Sequence, residues 1–266
     1  MSKTGYLGPE GSYSQLAANQ LGCGSAAVAY PSFYALIAAL NGGEVDAIVL
    51  PVENSLNGGV MQNLDLLHET QGVIAVREAM IKIEHRLITL KGADLDGITT
   101  IYSHPQALGQ CSKYIHSRFP AARLVPTQST SACISKITTT ADAGIIGLQP
   151  VDDRFELSEE SISDELLNYT QFLYVVKGQA DVTRHSRKIF LSVTCAHRPG
   201  ALTAVLSVFA RDDINMTKIE SRPIKDRVGE YRFFIEVEAD YSSTRIRSVL
   251  RSLSGVCGSV KILGCY

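Results

Sequence analysis

The stretch GQADVTRHSRKIFLSVTCAHRPGALTAVLSVF, residues 178–209, changes character twice. Its opening segment, 178–187, has little apolar content and no period, which suits a linker. Then Ile189, Leu191 and Val193 alternate as they would along a strand. Immediately after, Leu202, Val205, Leu206 and Phe209 fall at i, i+3, i+4 and i+7, the spacing of one helix face. The chain therefore divides into a unit 1–178, a linker 179–187 and a unit 188–266.

Beyond 209 the same alternation of periods continues. Strands are expected over 215–222 and 231–238, a helix through Ile246, Val249, Leu250 and Leu253, and a last strand over 259–263. The order is βαββαβ, a ferredoxin-like arrangement. Upstream of the linker, apolar strands at 45–52, 99–102 and 143–147 alternate with helices, one through Phe33, Leu36, Ile37 and Leu40 and another over 107–119. That pattern predicts an α/β architecture with largely parallel sheets, built as one domain or as two lobes around a cleft. The acidic run 159–167 reads as helical.

With 266 residues, 45% hydrophobic and 20% charged, the composition is that of a globular chain with a sizeable core. A net charge of −2, with its longest basic cluster confined to 184–188, gives no footprint for nucleic acid. No apolar leader opens the sequence and no stretch is long enough to span a bilayer, so a cytoplasmic protein without a membrane partner is expected. The six cysteines form neither a CxxC pair nor a Cys/His ligand pattern, which speaks against zinc and against a disulfide framework. In that compartment the sequons at Asn168 and Asn215 carry no glycan.

Four segments repeat one design, a strand or extended stretch entering a polar turn and then a helix start: GPEGSYS (8–14), PVENSLNGG (51–59), SHPQA (103–107) and QSTSA (128–132). Any one of them is accounted for by N-capping alone. Together they place several free N–H groups and dipole ends at the C-terminal ends of strands, where open sheets bind ligands. A small, multiply carboxylated or phosphorylated ligand is implied. Gly22 to Ala27 matches G-x-G-x-x-A, but it follows a helix rather than a strand and is better explained as a helix end. Neither a Walker A loop nor a G-x-S-x-G elbow occurs, and His85 and His104 lack a second ligand at metal spacing, so a site without metal or cofactor is expected.

GPEGSYS with the following QLAA, PVENSLNGGV, SHPQALGQC, QSTSA, and Asn168 with TQF at 170–172, in this order, resemble prephenate dehydratase. HRPGALTAVLSVFARDDINMTKIESRP (197–223) is similar to the ACT regulatory domain that follows the catalytic domain in that family. The resemblance implies a two-lobed, periplasmic-binding-protein-like catalytic domain with a cleft. It further implies conversion of prephenate to phenylpyruvate, carbon dioxide and water without a cofactor, feedback regulation by L-phenylalanine, and a homodimer or homotetramer. It carries catalytic roles onto Thr170, Asn168, Phe172, Ser12, Glu53 and Asn54, with Thr170 as the residue the family requires. Substrate contacts fall to Tyr13, Ser14, Ser55, His104, Gln106, Ser129, Thr130 and Gln171.

Gln171 departs from the family motif, which reads Thr-Arg-Phe. A charged fork directed at a carboxylate contributes about 1.5–3 kcal/mol that one neutral amide does not replace. If the side chain at 171 instead points away from the ligand, as the strand neighbour of Thr170 would, little is lost. The departure keeps arogenate dehydratase, a decarboxylase that retains the hydroxyl, and a non-catalytic carboxylate sensor open as alternatives. In the C-terminal unit, Gly200 permits close backbone approach, so the N–H groups of Ala201 and Leu202 could meet a carboxylate. The resemblance adds Asn215 and the motif Glu220, Ser221, Arg222 and Pro223 to the phenylalanine site.

Overall fold

The computed structural model describes residues 2–147, 149, 151–181, 183–224, 227 and 229–266; Val182 of the expected linker lies outside them. Turn chemistry starts the first elements. The hydroxyls of Ser12 and Ser32 accept from the N–H groups of Gln15 (3.3 Å) and Ala35 (3.1 Å), which relieves two of the donors a helix start leaves unpaired. They separate β1 (Lys3–Leu7) from α1 (Tyr13–Gly22), and β2 (Ala26–Tyr30) from α2 (Phe33–Gly42). β3 (Ala47–Asn54), the short β4 (Gly58–Gly59), α3 (Met61–Glu69) and β5 (Val73–Lys82) complete this part.

The chain then crosses to a second sheet of five strands. It comprises β6 (Arg86–Leu90), β7 (Thr100–Ser103), β8 (Arg123–Pro126), β9 (Asp142–Ile146) and β10 (Phe155–Leu157), with α4 (Pro105–Gln110) and α5 (Ser112–Arg118) between β7 and β8. It returns through β11 (Tyr169–Lys177), which inserts antiparallel between β3 and β5. Two crossings between two sheets leave a cleft where they meet. The neighbours β1/β2, β1/β3, β7/β8 and β7/β9 are parallel, whereas β11, β6 and β10 run antiparallel to their partners, so the sheets are mixed rather than largely parallel.

Two local expectations are corrected. The helix expected over 107–119 breaks at Cys111 (φ −119°, ψ 17°), where Asp164 draws off the N–H groups of Lys113 and Tyr114 and starts a new helix. The acidic run 159–167 is not helical. Its serines bond locally, Ser163 N–H donating to Ser161 Oγ, and the N–H groups of Ile162 and Asp164 donate to the carbonyls of His85 and Gln110. Side chains that compete for nearby backbone groups favour turns over helix.

The C-terminal unit runs β12 (Lys188–Cys195), α6 (Ala201–Arg211), β13 (Met216–Pro223), β14 (Tyr231–Glu238), α7 (Thr244–Val256) and β15 (Ser259–Cys265), the βαββαβ order expected. Its sheet does not stand apart. β15 pairs with β5 at Gly264 and Ala75, which joins both units into one ten-stranded sheet of order β13-β14-β12-β15-β5-β11-β3-β1-β2, with β4 beside β3. A Cβ on Gly264 would lie 2.9 Å from the Ala75 methyl, so glycine is what permits this approach. One apolar cluster spans the join: Leu36, Ile48, Leu64 and Leu173 from the first unit, and Phe190, Phe234 and Leu263 from the second. Each buried phenylalanine there contributes about 1.5–3 kcal/mol.

Polar contacts reinforce the same junction and make it sensitive to pH. His68 in α3 meets the Ser192 hydroxyl through Nδ1 at 2.9 Å; burial and the charges of Arg232 and Lys261 lower its pKa to about 4. Burial disfavours the charged form of Glu236 in β14. Hydrogen bonds from Thr217 (2.6 Å), Tyr266 (2.6 Å) and Gln171 (3.0 Å), with the charge of Lys218, outweigh it and hold the pKa down to about 2. Both groups bind protons more weakly folded than unfolded, so both remove stability as pH falls. The His68 contribution is lost between its ordinary 6.5 and about 4, and that of Glu236 between 4.5 and about 2. Calorimetric Tm should therefore fall in two successive limbs below neutrality, with Glu236→Gln flattening only the lower one. A Tm independent of pH over both windows would contradict the assignment.

Candidate active site

The cleft between the sheets has a volume of about 310 Å³, and each of the four polar turns reaches it. Tyr13 comes from the first, Pro51 and Asn54 from the second, His104, Gln106 and Ala107 from the third, and Thr130 from the fourth. Thr170 and Phe172 of β11 stand side by side on its wall, as residues i and i+2 of a strand do. Ile83, His85 and Gln110 complete much of the lining. Among the described residues no lysine or arginine lines it, so carboxylates would be held here by N–H, hydroxyl and amide groups.

The local structure explains these positions. Tyr13 begins α1, and its hydroxyl donates to Glu84 O and accepts from Glu84 N–H (2.9 Å), which ties the helix to the crossing between the sheets. A Cβ on Gly147 would fall 2.9 Å from the Tyr13 ring, so that glycine makes room for it. His104 caps α4, Nδ1 accepting from Gln106 N–H at 3.3 Å, with Pro105 at the first helical position.

Hydrogen-bond polarity at the base of the cleft is fixed step by step. The N–H groups of Leu56 and Asn57 (both 3.2 Å) and Asn57 Nδ2 (3.0 Å) donate to Asn54 Oδ1, so the other end of that amide is a donor. Asn54 Nδ2 donates to Asn168 Oδ1 (2.7 Å), Thr170 Oγ1 (3.0 Å) and Tyr169 O (3.2 Å). Asn168 must then turn its own Nδ2 to Gln110 Oε1 (3.2 Å), an oxygen that His85 Nε2 also meets at 2.8 Å. His85 is thereby assigned as the Nε2–H tautomer, and burial holds its pKa below the usual range although the bond to Gln110 opposes this. The consequence lies at Thr170. Its oxygen is already an acceptor, and its proton is left to point at whatever occupies the cleft.

Several residues named in the sequence analysis stand behind this wall. Asn168 is buried beneath Asn54, Ser12 serves as a helix cap, Ser14 is buried in α1, and Ser129 accepts from Ala132 N–H (3.0 Å). Ser55 locks the strand ends, donating to Leu167 O (3.1 Å) and accepting from Tyr169 N–H (2.9 Å). Glu53 and Gln171 are cross-strand partners on the opposite face from Asn54 and Thr170. The Glu53 carboxylate lies 2.5 Å from Lys218 Nζ, and Gln171 Nε2 donates to Glu78 (2.7 Å) and Glu236 (3.0 Å). Neither is among the residues lining the cleft. The cleft also takes in His85, which the sequence reading weighs only as a metal ligand, and Gln110, which lies outside the expected site; α4 begins at Pro105 rather than at 107, and that start puts Gln110 at i+4 from Gln106 on one helix face.

Gln171→Arg should thus leave KM within about threefold, because the new cation would enter the carboxylates of Glu78 and Glu236 rather than the cleft. Tm should rise. A tenfold fall in KM, measured by steady-state kinetics, would place the side chain at the ligand instead.

In the C-terminal unit Gly200 takes φ 77° and opens α6 beside a cavity of about 480 Å³ lined by Ala201, Leu202, His197, Tyr231 and Phe233, among others. The remaining residues expected there lie elsewhere in this chain. Asn215 donates to Glu238 (2.9 Å), Glu220 accepts from Gly59 N–H (3.1 Å), Arg222 pairs with Asp65 (2.7 Å), and Ser221 and Pro223 are exposed on the other side of β13.

Comparison with known proteins places this geometry. Family models described as prephenate dehydratase and ACT domain match residues 4–180 and 189–255. Prephenate dehydratase of Lactococcus lactis subsp. cremoris is 34% identical over 272 residues, covering 99% of this chain and 97% of that protein. The crystal structure of prephenate dehydratase from Arthrobacter aurescens, a complex with L-Phe, superposes with a TM-score of 0.89 at 28% identity, covering 99% and 89% of the two chains. A structure described as a novel type of quorum quenching acylase superposes at 0.86 with 25% identity, over 99% of this chain and 97% of that one, so the fold alone does not fix the chemistry. Family match and full-length similarity at the level of sequence do: the chain belongs to the prephenate dehydratase family and carries that family's C-terminal ACT domain.

Proposed function

We propose that the cleft converts prephenate to phenylpyruvate, carbon dioxide and water, with Thr170 assisting the leaving hydroxyl. The C–C bond to the ring carboxylate breaks, its electron pair becomes the new ring double bond, and the C–O bond to the hydroxyl breaks as that oxygen takes a proton and departs as water. Aromatisation drives the step, so the protein need only hold two carboxylates in place and supply a donor. The observation that carries this is the donor itself: Asn54 occupies the Thr170 oxygen as an acceptor and frees its proton for the cleft. The same geometry disfavours amide hydrolysis. An attacking Thr170 would need a base to take its proton, and its hydrogen-bond partner is an amide donor.

The cavity beside Gly200, with Leu202, Tyr231 and Phe233 in its wall, supports L-phenylalanine as the regulatory ligand of the ACT domain. β13 is an edge strand that exposes Ile219 and borders exposed Tyr231, which supports pairing of ACT domains between copies in a homodimer or homotetramer. A cytoplasmic enzyme of amino-acid biosynthesis fits this chemistry, and no helix among the described residues is long and apolar enough to cross a membrane. The deciding experiment incubates the chain with prephenate and, separately, arogenate, with and without phenylalanine, and identifies products by mass and absorbance. Phenylpyruvate from prephenate, formed more slowly with phenylalanine, is expected. Turnover of arogenate alone, a product that keeps the hydroxyl, or no product would reject it.

A further inference from the structure

Lys218 belongs to β13 in the ACT domain, yet its side chain, 5% exposed, ends among groups of the catalytic unit. Nζ lies 2.5 Å from Glu53 Oε2 and 2.5 Å from Gln171 Oε1, and 5.5 Å from the centre of the Phe190 ring. Glu53 adjoins Asn54 in sequence and Gln171 adjoins Thr170, so the lysine grips the back of the two strands whose fronts form the cleft wall. Backbone pairing is weak at that point. The β3–β11 register shifts between Gln171 and Phe172, and the partner there is Pro51, which has no N–H to give.

We propose that Lys218 is a positioning residue of the dehydratase: its ammonium clamps Glu53 to Gln171 and thereby sets the 3.0 Å bond from Asn54 Nδ2 to Thr170 Oγ1. The role rests on the catalytic assignment of Thr170. It also makes the ACT domain a part of the working site and not solely a module attached to it.

The comparison is with Lys261, whose ammonium crosses the same junction to the carbonyls of Leu67 (3.2 Å) and Thr70 (2.7 Å) at the end of α3 but touches neither β3 nor β11. Lys218→Met should lower kcat by about 10- to 100-fold with KM within about threefold, and Lys218→Arg should recover most of the loss. Lys261→Met should lower Tm without lowering kcat. Amide exchange over 52–55 and 168–171 should quicken in Lys218→Met and not in Lys261→Met, a readout that holds even if prephenate proves not to be the substrate. Should Lys218→Met fail to fold, Glu53→Gln removes the same ion pair at a half-exposed side chain and carries the same expectations. An unchanged kcat with unchanged exchange, or equal losses in the Lys218 and Lys261 variants, would overturn the proposal.

Discussion

Thr170→Ala should lower kcat by about 10²- to 10⁴-fold while KM stays within about threefold, the pattern of a group that acts on the departing hydroxyl more than on the bound substrate. Thr170→Ser, which keeps the oxygen and its proton, should recover most of that loss, and Thr170→Val, which keeps the shape alone, should not. The fold should survive each change. Asn54 Nδ2 retains Asn168 Oδ1 and Tyr169 O when the threonine oxygen is removed, so no buried donor is orphaned and the stability cost is about 1 kcal/mol. Steady-state kinetics on prephenate with a thermal melt of each variant separates chemistry from folding. If alanine and valine leave kcat where it was, Thr170 is a wall residue and the donor must be sought elsewhere in the cleft.

Much of this wall could be read from sequence because turn chemistry is local. Ser12 and the His104-Pro105 pair end strands and begin helices for reasons confined to a few neighbouring atoms, and the structure starts α1 at Tyr13 and α4 at Pro105, inside the turns 8–14 and 103–107. The βαββαβ order of the second unit was equally legible, since apolar periods of two and of 3.6 are properties of single elements. What failed depended on distant partners. The run 159–167 reads as helical from its acidic residues and leucines, but besides the local bonds of its serines the carbonyls of His85 and Gln110 claim the N–H groups of Ile162 and Asp164 from far along the chain.

Facing was the least legible property. Adjacent residues of a strand point to opposite sides, which the family motifs list together without distinction. Asn54 and Thr170 face the cleft while Glu53 and Gln171 face the ACT domain. The side on which each falls is settled by what covers the back of the sheet, and that cover is the ACT domain, whose Lys218 and Glu236 meet Gln171; the parallel join at Gly264 and Ala75 that brings it there is a contact no periodicity announces. The departure from the family arginine at 171 accordingly bears on the junction: Glu53, Glu78 and Glu236 meet the ammonium groups of Lys188 and Lys218, with a neutral amide between them.

Asn54→Asp tests the polarity of the wall with almost no change of shape. The carboxylate still accepts from the N–H groups of Leu56 and Asn57, but its second oxygen would now face Asn168 Oδ1 and Thr170 Oγ1, which it can only accept from. Thr170 satisfies it by turning its proton away from the cleft. Asn168 must reverse its amide, Gln110 must follow, and His85 must exchange its Nε2–H tautomer for the Nδ1–H form. Loss of one preorganised donor lowers kcat by about 10²- to 10³-fold, and that is the effect expected here at neutral pH. Protonating the new carboxyl restores a donor to the same position, so activity should climb as the assay moves from about pH 8 to about pH 5, toward the range where a carboxyl at this buried place takes up its proton. Asn54→Ala, which removes donor and acceptor together, should be as slow and show no such climb. A pH profile of kcat for the two variants side by side therefore reports the direction of the hydrogen bond to Thr170, and matching profiles would mean that the amide of Asn54 does not aim its proton.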